Sequence, residues 1–245
     1  MTEATTGSDL PPRFAVAATP AQAAALLPSL GRVLVGLSAG GATHERIGVV
    51  ETAVVDGGAL RIGGSAHDAV LALEPVARIV ADRTGGMRGR VFPRIEFRDG
   101  DDRLLMSVTA MDGLEPFDSA LAAWVGATED APPRPESSGG GELAADDAGA
   151  GLLEALRASG GQVEIALAAG PARQAWRGVI EDMKPAMGFA NIIRSDFHLH
   201  WRGGSLGGLR AAGDAFEALD AEGGATGLTF RPLDAEARKA LATAA

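Results

Sequence analysis

Two stretches decide the fold: VLVGLSAGG (33–41) followed by GVVE (48–51), and VEIALAAGP (163–171) followed by GVIE (178–181). Each reads as an apolar strand, a glycine turn and a return strand that ends in an acid. The two stand 130 residues apart, and that offset holds without a gap from Val33 to Leu71. It sets Ser65 against Ser195, His67 against Phe197, Val70 against His200 and Leu71 against Trp201. A constant register over roughly 40 positions argues for two divergent copies of one unit. Two unrelated β-rich halves are the alternative.

Outward from the first stretch the chain keeps one texture. RVLVGLS, RIGVVETAVV, ALRIGG, AVLAL, ARIVAD, RIEFRD and LLMSVTA are short β-like runs broken by glycine and turn residues, a spacing that predicts a meander of antiparallel strands. TPAQAAALLPSLG (19–31) predicts a short helix, with Thr19 as N-cap, Pro20 in its first turn and Gly31 past its end; Pro28 disturbs the last turn. Leu114, Phe117, Leu121 and Trp124 recur at helical spacing in LEPFDSALAAWVG (114–126), and GLLEALRASGG (151–161) is a third helix ahead of QVEIALA. The fold class expected is α+β: two tandem repeats, each a mainly antiparallel β-sheet with flanking short helices. The expected divisions are a disordered N-terminus at 1–12, a first repeat at 13–126, a flexible acidic linker rich in Pro, Gly and Ser at 127–150, a second repeat at 151–236, and a C-terminal tail at 237–245.

Composition narrows the function classes. Of 245 residues, 46% are hydrophobic and 22% charged, ordinary for a globular chain. A formal charge of -10 argues against nucleic acid or an anionic membrane as main partner. A local exception is the run Arg78, Arg83, Arg88, Arg90, Arg94, Arg98 and Arg103, which suggests one basic patch. The absence of cysteine removes disulfides, Cys-ligated zinc and iron–sulfur clusters. MTEATTGSDLPPRF lacks the charged and apolar regions of a secretory signal, and no stretch reaches about 18 uninterrupted apolar residues. A cytoplasmic protein without membrane insertion is expected.

Two of the four histidines fall in SDFHLHWRGG (195–204). On a strand, Asp196, His198 and His200 would share one face and Phe197, Leu199 and Trp201 the other. Two imidazoles whose Cβ atoms stand about 6.5–7 Å apart could hold one metal ion, with Asp196 adding a carboxylate. One of them could instead ligate haem iron. A solvated strand face is the third reading, and all three stay open.

GRVLVGLSAGGATHERIGVVETAVVDGGALRIGG (31–64), RIEFRDGDDRLLMSV (94–108), WRGVIEDMKPAMGFANIIRSDFHLHWRGGSLGGLRA (176–211) and FEALDAEGGATGLTF (216–230) resemble the bacterial hemin-degrading, haem-utilisation protein family of the HemS/ChuX type. The resemblance lies in spaced glycines and strand residues over most of 31–125 and 155–232. It implies facing antiparallel sheets and a b-type haem taken up in the cytoplasm, to be handed on or broken open. His200 matches the histidine of the family's strand and is the preferred iron ligand, with His198 second. Arg202 and Arg194 are implied propionate partners, and Arg88 and Arg90 in RTGGMRGRVFPR (83–94) would cover an anionic planar ligand. Implied partners are haem and a haem donor or acceptor protein. Single-repeat members pair up, so this chain is expected as a monomer imitating that dimer, or as a dimer. The departure lies between the halves. The family's usual axial histidine sits there on a helix, and this chain has no histidine between His67 and His198 and no tyrosine anywhere. That favours carriage of haem over degradation and leaves enzyme activity open.

The remaining candidates are weaker. His44 in THER reads as a half-exposed strand residue. His67 and Asp68 are adjacent and would point apart on a strand. GGSLGG (203–208) lacks the Lys and Ser/Thr of a phosphate-binding loop. Besides haem binding, two classes stand: an interaction scaffold that kept the sheets and lost the pocket, expected to show the interface between its repeats filled with Leu, Val and Phe, and a His/Asp metal enzyme, expected to purify with metal.

Overall fold

The computed structural model describes residues 9–87, 89–131 and 141–244. The first half runs β1 (Arg13–Val16), α1 (Pro20–Leu26), β2 (Arg32–Ala39), β3 (Ala42–Val49), β4 (Thr52–Asp56), β5 (Ala59–Gly63), β6 (Asp68–Ala72), β7 (Arg78–Asp82), β8 (Gly86–Met87), β9 (Arg90–Val91), β10 (Arg94–Arg98), β11 (Leu104–Ala110), α2 (Leu114–Leu121) and β12 (Val125–Thr128). The second half runs α3 (Ala148–Ser159), β13 (Gln162–Ala169), β14 (Ala172–Val179), β15 (Lys184–Ala186), β16 (Phe189–Ile193), β17 (Phe197–Arg202), β18 (Gly208–Ala212), β19 (Ala215–Leu219), β20 (Ala225–Pro232) and α4 (Ala235–Ala244).

Local chemistry explains these boundaries. In the β2–β3 hairpin Gly40 and Gly41 both take positive φ (52° and 76°), as a two-residue primed turn requires. Its counterpart between β13 and β14 has Gly170 at φ 57° followed by Pro171, which fits the type II′ pattern. Helix α1 starts in a capping box between Thr19 and Gln22, and a 3-10 turn at Leu27–Leu30 accommodates Pro28. Asp147 caps α3 by accepting from the Ala150 N–H at 2.8 Å.

The strands form a ten-stranded sheet, β12-β1-β7-β10-β11-β2-β3-β17-β16-β15, an eight-stranded sheet, β18-β19-β20-β13-β14-β6-β5-β4, and a separate two-stranded sheet of β8 and β9. Each of the two large sheets therefore takes strands from both halves. The exchange is reciprocal. In the first sheet Ala42 pairs with Trp201, Thr43 with His200 and His44 with Leu199. In the second Ala172 pairs with Leu71, Arg173 with Val70 and Gln174 with Ala69. Each set becomes the other when both partners are shifted by the repeat offset of 130, so the two copies are related as the subunits of a strand-exchanged dimer.

A single hydrophobic core joins the sheets, including Phe14, Phe97, Trp176, Phe197, Trp201 and Phe230. Burying side chains of this size contributes about 1.5–3 kcal/mol each. At its centre His44 and Gln174, equivalent positions in the two copies, face each other with no solvent exposure. His44 Nε2–H donates to the Ile165 carbonyl at 3.1 Å, and Gln174 Nε2–H donates to the carbonyl of Val35, the repeat equivalent of Ile165, at 3.0 Å. The Gln174 amide also lies 3.0 Å from His44 Nδ1, which fixes the neutral Nε2–H tautomer. Burial outweighs these bonds and pushes the His44 pKa down to about 3. The half-exposed position expected for His44 is thus corrected: the inner face of β3 lies against β13.

The chain ends differ from the sequence expectation. The tail expected at 237–245 is most of helix α4, because Asp234 accepts from the Ala237 N–H at 2.9 Å and Ala237 and Leu241, four residues apart, are both buried. Of the linker expected at 127–150, its start belongs to β12 and its end to α3, and residues 132–140 lie outside the described residues, as do residues 1–8 of the expected N-terminal tail.

Candidate functional site

Strand β17 alternates as its sequence indicates. Phe197, Leu199 and Trp201 are buried on the core side, and His198 and His200 stand half-buried on the other face. The register against β3 sets Glu45 directly opposite His198 and one diagonal step from His200. Glu45 Oε2 lies 3.2 Å from His198 Nδ1 and 3.6 Å from His200 Nε2, and the two imidazole centroids are 5.9 Å apart. Burial would raise the Glu45 pKa, but the hydrogen bond with His198 and the closeness of the His200 ring prevail and hold it near 2. The carboxylate that joins the histidines is therefore Glu45 and not Asp196. Asp196 precedes the strand, where the alternation no longer applies, and accepts from Trp176 Nε1 at 3.1 Å and Arg194 Nε at 3.2 Å.

Asn191 on β16 sets the state of His200. Its amide nitrogen is surrounded by three acceptors, the carbonyls of Lys184 (3.0 Å), Phe189 (3.1 Å) and Ala186 (3.3 Å). That arrangement fixes which end of the amide is oxygen, and Oδ1 faces His200 Nδ1 at 2.7 Å. Nδ1 must then carry the proton, and in the neutral ring Nε2 presents a lone pair. This ring edges a hollow of about 510 Å3 lined by Thr43, Lys184, Ala186, Met187, Phe189, Asn191 and Ile193. A second hollow of about 570 Å3 shares Thr43 and Phe189 with it and reaches Arg202 and Ser205.

The other expected site residues are placed as follows. Arg202 projects on the same face as His200, its guanidinium 5.8 Å from the Phe189 ring centre, with no carboxylate partner among the described residues. Arg194 is taken up by Glu181 (2.9 Å), Asp196 (3.2 Å) and the Trp176 ring (5.6 Å). Arg90 lies against Phe92 in the β8–β9 hairpin, which is a two-stranded sheet apart from the ten-stranded sheet that holds β17. Arg88 lies outside the described residues. Of the described arginines of that run, all but Arg90 are paired with acids, which offsets the suggested basic patch. Arg83 pairs with Asp118, Arg94 with Asp82 and Glu96, Arg98 with Glu96, Arg78 with Glu129, and Arg103 with Asp101. Asp82, Glu96 and Asp101 lie within the run, and α2 and β12 with the residue after it bring Asp118 and Glu129 to it. His67 is buried and bonds the Gly48 carbonyl at 3.1 Å. Gly204, in the glycine-rich stretch, donates its N–H to Asp147 at 2.7 Å, tying the turn after β17 to the start of α3.

No family model matches the sequence, and no curated protein matches it. Solved structures do. ChuS, an E. coli haem oxygenase, matches with a TM-score of 0.74 at 18% identity, over 95% of this chain and 88% of its own. The chain has the fold of ChuS. Holo-PhuS, a haem-binding protein from Pseudomonas aeruginosa, matches with a TM-score of 0.70 at 16% identity, over 94% and 86% of the two chains. At such identities the likeness is one of fold. The two-repeat α+β architecture expected from the sequence is the architecture found.

Proposed function

We propose that this protein binds haem b on the outward face of β16 and β17 and serves cytoplasmic haem utilisation as a carrier, handing haem to or taking it from a partner protein. One observation carries the reading. Asn191 holds the proton of His200 on Nδ1 and leaves Nε2 as a ligand atom at the edge of a hollow walled by Ala186, Met187, Phe189 and Ile193. The residues present fit the group: an imidazole for the iron, apolar side chains for the macrocycle, and Arg202, which has no carboxylate partner among the described residues, for the propionates. His198 is the alternative ligand. Arg194 is already paired with acids, and the proposal leaves it, Arg88 and Arg90 aside. The absence of cysteine means that no thioether can hold the cofactor, in keeping with haem b. Carriage is preferred to degradation because α3, the helix ahead of the second repeat, carries no histidine.

Hemin titrated into the purified protein is expected to give a Soret band that His200→Ala shifts or weakens. An unchanged spectrum in the variant removes His200 from the iron, and no Soret change in the wild type removes the haem reading. A specific observation favours a second reading. Leu, Val, Phe and Trp side chains are buried between the sheets, as expected for a scaffold that kept the fold without the pocket. The same titration separates the two.

A further inference from the structure

We propose that Glu45, His198 and His200 form a site for a divalent transition-metal ion that does not require haem, with its open coordination positions toward the hollow beside β16. The three side chains each offer a ligand atom, and these lie within 4.8 Å of one another. Two ligands of one ion at about 2.1 Å and an angle near 100° sit about 3.2 Å apart. The separations from Glu45 Oε2, 3.2 Å to His198 and 3.6 Å to His200, are of that size.

The second observation is the state of His200. With its proton held on Nδ1 by Asn191, the Nε2 lone pair faces a carboxylate oxygen, and two lone pairs at that range repel. A cation between them resolves the conflict. It is either a proton, giving a plain imidazolium–carboxylate pair, or a metal. A histidine whose other nitrogen is anchored on a fixed side-chain oxygen is the usual arrangement of a metal ligand and its support. Two imidazoles and one carboxylate suit Zn2+, Fe2+ or Co2+ better than Ca2+ or Mg2+, which prefer all-oxygen shells. The repeat counterpart argues that the cluster is not demanded by the fold. Glu45, His198 and His200 correspond to Ala175, Asp68 and Val70, which could not form such a site.

The test uses the full-length, untagged protein, stripped with a chelator and titrated with CoCl2 by visible absorption and with ZnCl2 by calorimetry. The expected result is one ion per chain with the visible spectrum of nitrogen- and oxygen-ligated cobalt. Asn191→Ala is expected to weaken binding about 10–100-fold. Glu45→Gln and His198→Ala should weaken it further, with melting curves of the metal-free variants confirming the fold. Should Glu45→Gln not fold, the half-exposed His198 carries the same test. No cobalt spectrum, or binding unaffected by these substitutions, overturns the site and leaves the imidazolium–carboxylate pair. Hemin provides the separating arm, because haem and metal both claim His200 Nε2. Cobalt binding without a hemin spectrum removes the haem reading and keeps the metal site; the reverse outcome removes the metal site alone. Where both bind, zinc should displace His200 from the haem iron.

Discussion

At position 44 the fold seals a histidine into the contact between two sheets, opposite Gln174, the residue its own repeat counterpart uses. Its folded pKa of about 3 lies below the usual 6.5, so the unfolded chain takes up a proton that the folded chain refuses. The stability from this group is complete above about pH 6.5 and is lost as pH falls toward 3. The slope is about 1.4 kcal/mol per pH unit within that window. His44→Gln keeps a neutral hydrogen-bonding side chain and removes the titration. Urea melts from about pH 6.5 down to about pH 4.5, before Glu45 enters, should show a flatter pH dependence for the variant. Parallel curves would show that the imidazole is not held neutral. Sequence alone reads His44 as half-exposed, because alternation along β3 says which residues share a face but not which face meets the other sheet. Glu45 stayed unseen for a related reason: its histidine partner lies 153 positions away, across a strand pairing that no local pattern encodes.

At the scale of the element, β17 shows where local pattern suffices. Its alternation of Phe, Leu and Trp with His, His and Arg is an inside–outside code, and the structure follows it residue by residue. The two faces should therefore respond differently to truncation. Trp201, almost fully buried against Phe230, is expected to cost about 3–5 kcal/mol as Trp201→Ala. His198→Ala, which loses a partly solvated pairing with Glu45, should cost about 1 kcal/mol or less. Urea unfolding of both variants tests this, and equal losses would mean that the strand is not one-sided. Where end effects decide, the sequence was less legible. EARKALATAA at the C-terminus looks like a polar tail, yet Asp234 supplies a cap and Ala237 and Leu241 an apolar stripe just long enough to bury. The arginine run shows the same limit in part: Glu96 and Asp101 stand two residues from their arginines, but the pairing of Arg94 with Asp82 across the strands and of Arg83 with Asp118 on α2 is visible only in the fold.

At the scale of the molecule, the repeat offset was legible and its consequence was not. A constant register states that the halves are alike; it does not state that strands β4–β6 of the first complete the second sheet while β15–β17 of the second complete the first. That exchange makes the halves interdependent. Alone, the first half would leave the hydrogen-bonding edge of β3 open and the apolar side chains of β4–β6 without a sheet to cover. Together, the halves are joined by the β3–β17 and β14–β6 ladders and by one core, so the covalent link between them should be dispensable once the protein has folded. A protease site placed between residues 131 and 141 provides the experiment. After cleavage the two fragments should co-elute at the volume of the intact protein and unfold in a single transition. The fragment ending at residue 131, expressed by itself, should be insoluble or should pair with its own copy through the β3 edge, imitating in two chains what the intact protein does in one. Separation of the cleaved halves at micromolar concentration, or a stable monomer of the first half alone, would show that the exchanged strands are decoration on two self-sufficient domains.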